Sequence, residues 1–330
     1  MTTKVTYFFP SHSFFNRTLN DADLPPALTR RISENALHRW NQVQGYPFEE
    51  RFIFLMVGNG ALVDMILSWL CNTERMKGVH QRTLILMTDT AGYRGLVRTP
   101  FDVHVVDSSL NDESLQSDMS YGTAAYWRMT ERRVKMLGVI LRSGVSFFNI
   151  EPDAVWVRNP LRDPRVVRSD HDMVVAVEMT ESMEYQYAFG FLLLRSNART
   201  RSLYDELERH LSASISSVTR NFSGPEEMPF TAELSEQMVL KKIISREMHS
   251  VSLSFLDACL YVSGRWYKNQ EFRKYCKDTR DVPYVINNNW IVGNKAKIER
   301  AKLWGHWFID DNGRCDRHES RRFKTAIVED

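Results

Sequence analysis

The chain is short of cysteine, of glycine-rich loops, of charge of one sign and of long apolar runs, and each shortage excludes something. Four cysteines in 330 residues, at positions 71, 259, 276 and 315, are too few and too scattered for a disulfide scaffold. None forms the close pair of a structural zinc site. Cys259 with Cys276 or with Cys315 would suit one bridge in an oxidising compartment, and four unbridged thiols are an equal reading. The 15 glycines form no G-x-G-x-x-G after a strand and no G-x-x-x-x-G-K-[ST], which disfavours dinucleotide-binding dehydrogenases and P-loop enzymes. G-x-S-x-G is absent too, so an α/β-hydrolase would have no nucleophile elbow. Forty-three Lys and Arg against 41 Asp and Glu leave a formal net charge of +2, and no nucleic-acid partner is expected from so balanced a surface. The most apolar window, Phe52 to Cys71, contains Gly58-Asn59-Gly60 and Asp64. These are costly in a bilayer, so no membrane-spanning segment is expected, and the first residues hold no signal-peptide core.

What is present is enough apolar material for one substantial core. Hydrophobic residues are 43%, with 18 Phe, 12 Tyr and 8 Trp, which excludes disorder over most of the length. Residues 1–47 read as an N-terminal extension with a helix from about Pro25 to Val43. Residues 48–330 read as one domain of alternating strands and helices. Phe52–Val57, Thr83–Thr88, Val103–Val106 and Val145–Ile150 are apolar runs of strand length. A helical stretch runs from Gly60 to Cys71, and another from Thr123 to Ser143, stopped by Gly144. Runs apolar at nearly every position imply a mainly parallel sheet covered by helices on both faces. Ligands of such sheets bind at the C-terminal strand ends, where Asn59, Asp89, Asp107, Glu151 and Asp153 stand. An Asx after a strand is also an ordinary turn former. Two sequons, at Asn16 and Asn221, point weakly to a secretory protein.

The stretch Ile150-Glu151-Pro152-Asp153-Ala154-Val155-Trp156 carries the chemistry. Two carboxylates one residue apart, at the end of a buried strand, can address a common ion if the turn folds them together. Carboxylate and diphosphate oxygens suit Mg²⁺ or Mn²⁺. An E-x-D alone is common on surfaces; the apolar strand before it, and Val155-Trp156 and Arg158-Asn159-Pro160 after it, make it specific.

From about Arg51 to Asp310 the chain resembles the nucleotide-diphospho-sugar transferase family, in particular glycosyltransferase family 77, with its plant rhamnogalacturonan xylosyltransferases and extensin arabinosyltransferases. Ordered matches carry the resemblance: Asn59-Gly60 with Asp64 and Trp69-Leu70-Cys71; Tyr126 with Arg133 and Gly144; the acidic motif, in the place of D-x-D; Gly190-Phe191; Glu236-Gln237; and Asn287-Asn288-Asn289-Trp290 with Lys297 and Trp307. The resemblance implies a GT-A type, Rossmann-like α/β fold with a central mainly parallel sheet flanked by helices. It implies a retaining glycosyltransferase that uses a nucleotide sugar donor, usually a UDP-sugar, with Mn²⁺ (or Mg²⁺), and acts on a glycan or glycoprotein acceptor. It also implies the Golgi lumen. A non-catalytic nucleotide-sugar or glycan binding protein on the same fold is the alternative.

Residue by residue, Asp153 matches the second Asp of D-x-D and is expected to ligate the metal. Glu151 matches the first and is one methylene longer; it is expected to bind the metal, directly or through water, or to hold the donor's ribose. Asn287 stands where relatives have a His ligand, and an amide oxygen is the weaker donor. Arg133 and Lys297 are expected on the diphosphate, with Lys295 a competitor for the second role, and Asn59, Asp89 and Tyr126 on the nucleoside. Gln237 is expected near the anomeric carbon, with Glu236 beside it as acid, base or nucleophile, although Glu236 also reads as the solvated first turn of a helix. Trp266-Tyr267 would suit an acceptor platform, with core packing the plainer reading.

Overall fold

The computed structural model describes residues 24–109, 119, 121–179, 185–219, 234–246, 251–280 and 282–316. Both sequons lie outside them. Strand β1 (Ile53–Gly58) is hydrophobic at nearly every position because it is covered on both faces. It pairs in parallel with β2 (Thr83–Met87) on one side and β4 (Phe147–Ile150) on the other. Strand β3 (His104–Asp107) extends the sheet from β2, also in parallel. Beyond β4 the direction changes. Strand β7 (Tyr185–Leu194) runs antiparallel between β4 and β6 (Met173–Met179), and β8 (Leu253–Leu256) closes the edge parallel to β6. The order is β3-β2-β1-β4-β7-β6-β8, a mainly parallel sheet as expected.

Alternate residues of β1 feed two separate apolar layers. Ile53 and Leu55 enter one with α1 (Pro26–Gln42), α4 (Ala124–Arg142) and α6 (Ala198–Thr219). Phe54 and Met56 enter the other with Trp69 of α2 (Val63–Thr73). The N-terminal helix α1 belongs to the first layer through buried Leu28, Ile32 and Ala36. Helix α4 begins where the Thr123 hydroxyl accepts the Tyr126 amide, 3.3 Å, and ends at Gly144 with φ +85°. Short helix α3 (Thr90–Leu96) follows β2, and α5 (Pro164–Val167) precedes β6.

A second sheet, β5-β10-β9, is built from Val155–Trp156, Val285–Ile286 and Tyr261–Val262. Trp156 anchors it, fully buried and edge-to-face with Trp69 at 5.2 Å. The Asn72 side chain grips Trp156 on both sides, accepting its amide and donating to its carbonyl. Helices α7 (Glu236–Ser245), α8 (Arg265–Lys268), α9 (Gln270–Thr279) and α10 (Asn294–Leu303) complete the described α-helices.

The cysteines go beyond the sequence reading: the Cys259–Cys276 bridge is one it offered, and a second bridge is added. All four are bonded, Cys71 to Cys315 and Cys259 to Cys276. The first joins α2 to a segment 244 residues away, a proximity that only the fold creates.

Candidate active site

The C-terminal ends of β1 and β4 open into a cleft of about 210 Å³. Asn59, just past β1, forms one wall. Helix α4 forms the second with Tyr126, Met129, Thr130 and Arg133. These fall at i, i+3, i+4 and i+7, one stripe of a helix. Glu151, Pro152 and Asp153 are the floor, and Asn294 and Lys297 of α10 the third wall.

Register explains how distant residues meet. Ile150 of β4 lies opposite Phe191 of β7, which puts Glu151 over Gly190. A Cβ on Gly190 would occupy the space of the Glu151 carboxyl group. This is why glycine stands in an otherwise bulky strand. Ile286 of β10 lies opposite Val155 of β5. The residue after it, Asn287, therefore arrives beside the turn that carries Asp153.

Four polar side chains converge there. Lys297 Nζ donates to Asp153 Oδ2 at 2.6 Å. Asn287 Nδ2 donates to Glu151 Oε2 at 3.0 Å. The Asp153 side chain is 4% exposed. Burial, and then the neighbouring Asp153 charge, push the Glu151 carboxyl above its usual range, against the pull of Lys297, Arg133 and the Asn287 hydrogen bond. For Lys297, burial acts to lower the pKa, but Asp153 and Glu151 together outweigh it and the pKa is raised. Lys297 is thus held as a cation. Burial also raises the Tyr126 phenol, with the Arg133 charge opposing.

The three consecutive asparagines have different work. Asn288 Nδ2 bonds the Lys297 carbonyl at 2.9 Å, and its Oδ1 accepts from Arg300 Nε at 2.6 Å. Asn289 Oδ1 accepts the Gly264 amide at 2.5 Å, and its Nδ2 donates to Glu178 Oε1. Both are tied into the loop. Asn287 Oδ1 is buried with no hydrogen-bond partner among the described residues. Glu178, near the end of β6, was not singled out from sequence. Its carboxyl is pushed up to about 7 by burial and by Glu151, with hydrogen bonds from Trp290 and Asn289 opposing.

Other expected residues lie elsewhere. Asp89 is 1% exposed and does not line the cleft. Its Oδ2 accepts the Gly60 amide and its Oδ1 the Gly92 amide, each at 2.6 Å. It caps α3 and holds the loop after β1 from beneath. Glu236, at the start of α7, pairs with the Arg133 guanidinium rather than facing the cleft directly. Gln237 is the next residue of that helix and is not among the cleft-lining residues. Lys295 is 91% exposed and pairs with Glu299, leaving Lys297 as the lysine of the site. Trp266 and Tyr267 are buried, the Tyr267 hydroxyl on His306 Nδ1 at 2.8 Å; they are core, not a platform.

Among the described residues no three His, Cys, Asp or Glu side chains gather as a metal cage. The donors present are two carboxylates and the unpartnered amide oxygen of Asn287. Such a set suits an ion of the Mg²⁺ or Mn²⁺ kind, which takes one or two carboxylates and completes its shell with water and substrate phosphates. The residues fit the ion the sequence pattern implies.

The family model for nucleotide-diphospho-sugar transferases matches residues 78–301. The chain is 24% identical over 282 residues to beta-arabinofuranosyltransferase RAY1 of Arabidopsis thaliana, covering 79% of this chain and 48% of that protein. It thus spans about half of that relative's length. It is 20% identical over 304 residues to a UDP-D-xylose:L-fucose alpha-1,3-D-xylosyltransferase of the same plant, covering 87% and 79%. Among solved structures it is similar to the glycosyltransferase GlyE of Streptococcus pneumoniae TIGR4, with TM-score 0.46 and 11% identity over 84% of this chain and 64% of that one. The chain belongs to the nucleotide-diphospho-sugar transferase family, and its flanked, mainly parallel sheet is the GT-A type arrangement that the resemblance implied.

Proposed function

We propose that this family member is a retaining glycosyltransferase, taking a pentose or hexose from a UDP-sugar and passing it to a glycan or glycoprotein. The observation that carries the reading is the meeting of Glu151, Asp153 and Lys297, from separate stretches of chain, at one strand-end cleft, with Asn287 bonded to Glu151 from outside the cleft lining. Relatives named as UDP-D-xylose-dependent xylosyltransferase and as arabinofuranosyltransferase support the donor class.

Charge decides what the cleft needs. Arg133 is paired with Glu236, and Lys297 is the cation bonded to the Glu151–Asp153 side of the cleft, with Arg133 also acting on Glu151. A nucleotide diphosphate adds further negative charge, which a divalent cation would offset. Glu151, Asp153 and the Asn287 amide oxygen would hold it. When bound, the cation offsets charge on the departing diphosphate. Lys297, kept as a cation by Asp153 and Glu151, would pass from Asp153 to a phosphate oxygen as the donor binds and so stand ready to stabilise the leaving group. Asn59 and Tyr126 line the nucleoside side. Arg133 would meet the diphosphate from α4, steadied by Glu236; Gln237, outside the cleft lining, is assigned to the donor sugar only by the family resemblance. Asp89 acts on the nucleoside only through the loop it supports. The two disulfides suit maturation in an oxidising lumen such as the Golgi. Among the described residues, no helix is long and apolar enough to cross a membrane.

The test is a panel of UDP-sugars, UDP-xylose and UDP-arabinofuranose included, with and without Mn²⁺. Release of UDP that a chelator abolishes is the expected result. The Lys297–Asp153 pair already fills a cation's place and favours one second reading, a non-catalytic nucleotide-sugar binder. Tight UDP binding without Mn²⁺ dependence or turnover would establish that reading instead.

A further inference from the structure

Residues 287–290 leave β10 in a conformation that the local sequence does not favour. Trp290 has φ 63°, and no other described non-glycine residue has a positive φ. Such a conformation persists only where its surroundings over-determine it. Here they do, from two sides. Arg300 of α10 donates to Asn288 Oδ1 and, through Nη2, to the Asn289 carbonyl, each at 2.6 Å. Glu178 of β6 accepts from the Asn289 side chain and from the Trp290 side chain. The loop also packs flush on Gly264, where a Cβ would strike the Asn289 carbonyl. Asn287 begins this loop and bonds Glu151. Neither Glu178 nor Asn287 is among the residues lining the cleft beside Glu151 and Asp153; Asn287 reaches the site through its bond to Glu151, and Glu178 reaches it through the loop that Asn287 begins.

We propose that Glu178 is a positioning residue for the cation site, holding Asn289 and Trp290 so that Asn287 stays against Glu151. The inference rests on the cation-site reading above. Outer groups that orient a metal ligand typically change metal affinity by about 10–100-fold when removed. Glu178 is such a group, one loop removed from the candidate ligand.

A double-mutant cycle tests it, because coupled residues lose their effects non-additively. The readout is UDP affinity by calorimetry, once with saturating Mn²⁺ and once with chelator; their ratio is the Mn²⁺ enhancement. Glu178→Ala and Asn287→Ala are each expected to cut the enhancement about 10-fold or more. The double variant is expected to match Asn287→Ala within about twofold, because Glu178 then has nothing left to position. Affinity in chelator stays as in the wild type for Glu178→Ala, and Glu178→Gln, which keeps an acceptor for Asn289, recovers most of the enhancement. A general structural role would instead weaken binding under both conditions. If Glu178→Ala does not fold, Asn289→Ala cuts the same link from the other side and is read in the same cycle. Additive losses in the double variant, or an undiminished enhancement in Glu178→Ala, overturn the inference and leave the cation site standing. No Mn²⁺ enhancement in the wild type overturns the cation site as well.

Discussion

Asp89 and the Glu151–Asp153 pair occupy equivalent places, each following a buried parallel strand of the central sheet. Their partners differ in kind. Both oxygens of Asp89 are taken by backbone amides, those of Gly60 and Gly92. Backbone donors are fixed by the fold, so nothing can replace them without unfolding the loop. Asp153 is held by the ammonium of Lys297, and Glu151 by the amide of Asn287, each a side chain from an element far along the sequence. Side-chain partners can turn to a ligand and back. The same residue type at the same kind of position is thus a cap in one loop and a candidate ligand in the other, and what separates them is the class of donor.

The largest expected effect breaks the functional half of that contrast. Asp153→Asn should lower Mn²⁺-dependent release of UDP from the donor by about 10²–10³-fold, the range seen when one group aimed at developing charge is removed. Its melting temperature should move by only a few degrees. Activity within about threefold of the wild type would place the chemistry elsewhere. Gly190→Ala comes next. Its new Cβ must displace the Glu151 carboxyl, and overpacking of this kind costs about 1–3 kcal/mol of stability. Turnover should fall at least about tenfold, with denaturant titration reporting the stability loss in the same sample. Full activity would mean that Glu151 can leave its place over β7 without consequence.

Asp89→Ala should show the opposite pattern. Two amides, the buried one of Gly92 and the partly buried one of Gly60, lose their acceptor, at a cost of about 1–3 kcal/mol, while turnover per folded molecule stays within a few-fold of the wild type. A large loss of donor affinity with an unchanged unfolding midpoint would return Asp89 to the nucleoside site and erase the comparison.

What the sequence makes legible follows from the same physics. Strands β1, β2 and β4 announce themselves because a strand covered on both faces is apolar at nearly every position. The reversal at β7 is not legible, since hydrophobicity carries no direction along the chain. Tyr126 and Arg133 are legible in the sequence, and Met129 and Thr130 complete their stripe at helical spacing, a periodicity the sequence also carries. Glu178 was not recoverable in this way. In Met173-Val174-Val175-Ala176-Val177-Glu178 it reads as an ordinary strand-end carboxylate; its role depends on a loop more than a hundred residues later. Nor does Asn287-Asn288-Asn289 reveal which residue keeps an unpartnered oxygen, because that depends on where Arg300, Gly264 and Glu178 lie.

The smallest effect concerns titration away from the cleft, and it sharpens the contrast by separating stability from activity. His80 is 6% exposed, its Nε2 bonded to the Thr73 hydroxyl at 2.9 Å. Burial lowers its pKa to about 4, with Glu74 and Asp102 opposing. His306, also buried, is lowered to about 3 by burial alone. In the unfolded chain both titrate near 6.5. Below that pH the unfolded state takes up protons that the fold excludes, so stability falls as pH drops from about 6.5 toward about 4. Each histidine contributes a slope of at most about 1.4 kcal/mol per pH unit in that window. Replacing one of them, as in His80→Gln, should flatten the slope of unfolding free energy against pH by about 1 kcal/mol per unit, read from urea titrations between pH 4.5 and 6.5. Neither ring lines the donor cleft, so the pH profile of UDP release by the molecules still folded should be the same in wild type and variant. An unchanged stability slope would mean that His80 is not held neutral by its burial, whereas a shifted activity profile would join it electrically to the cleft from which the fold separates it.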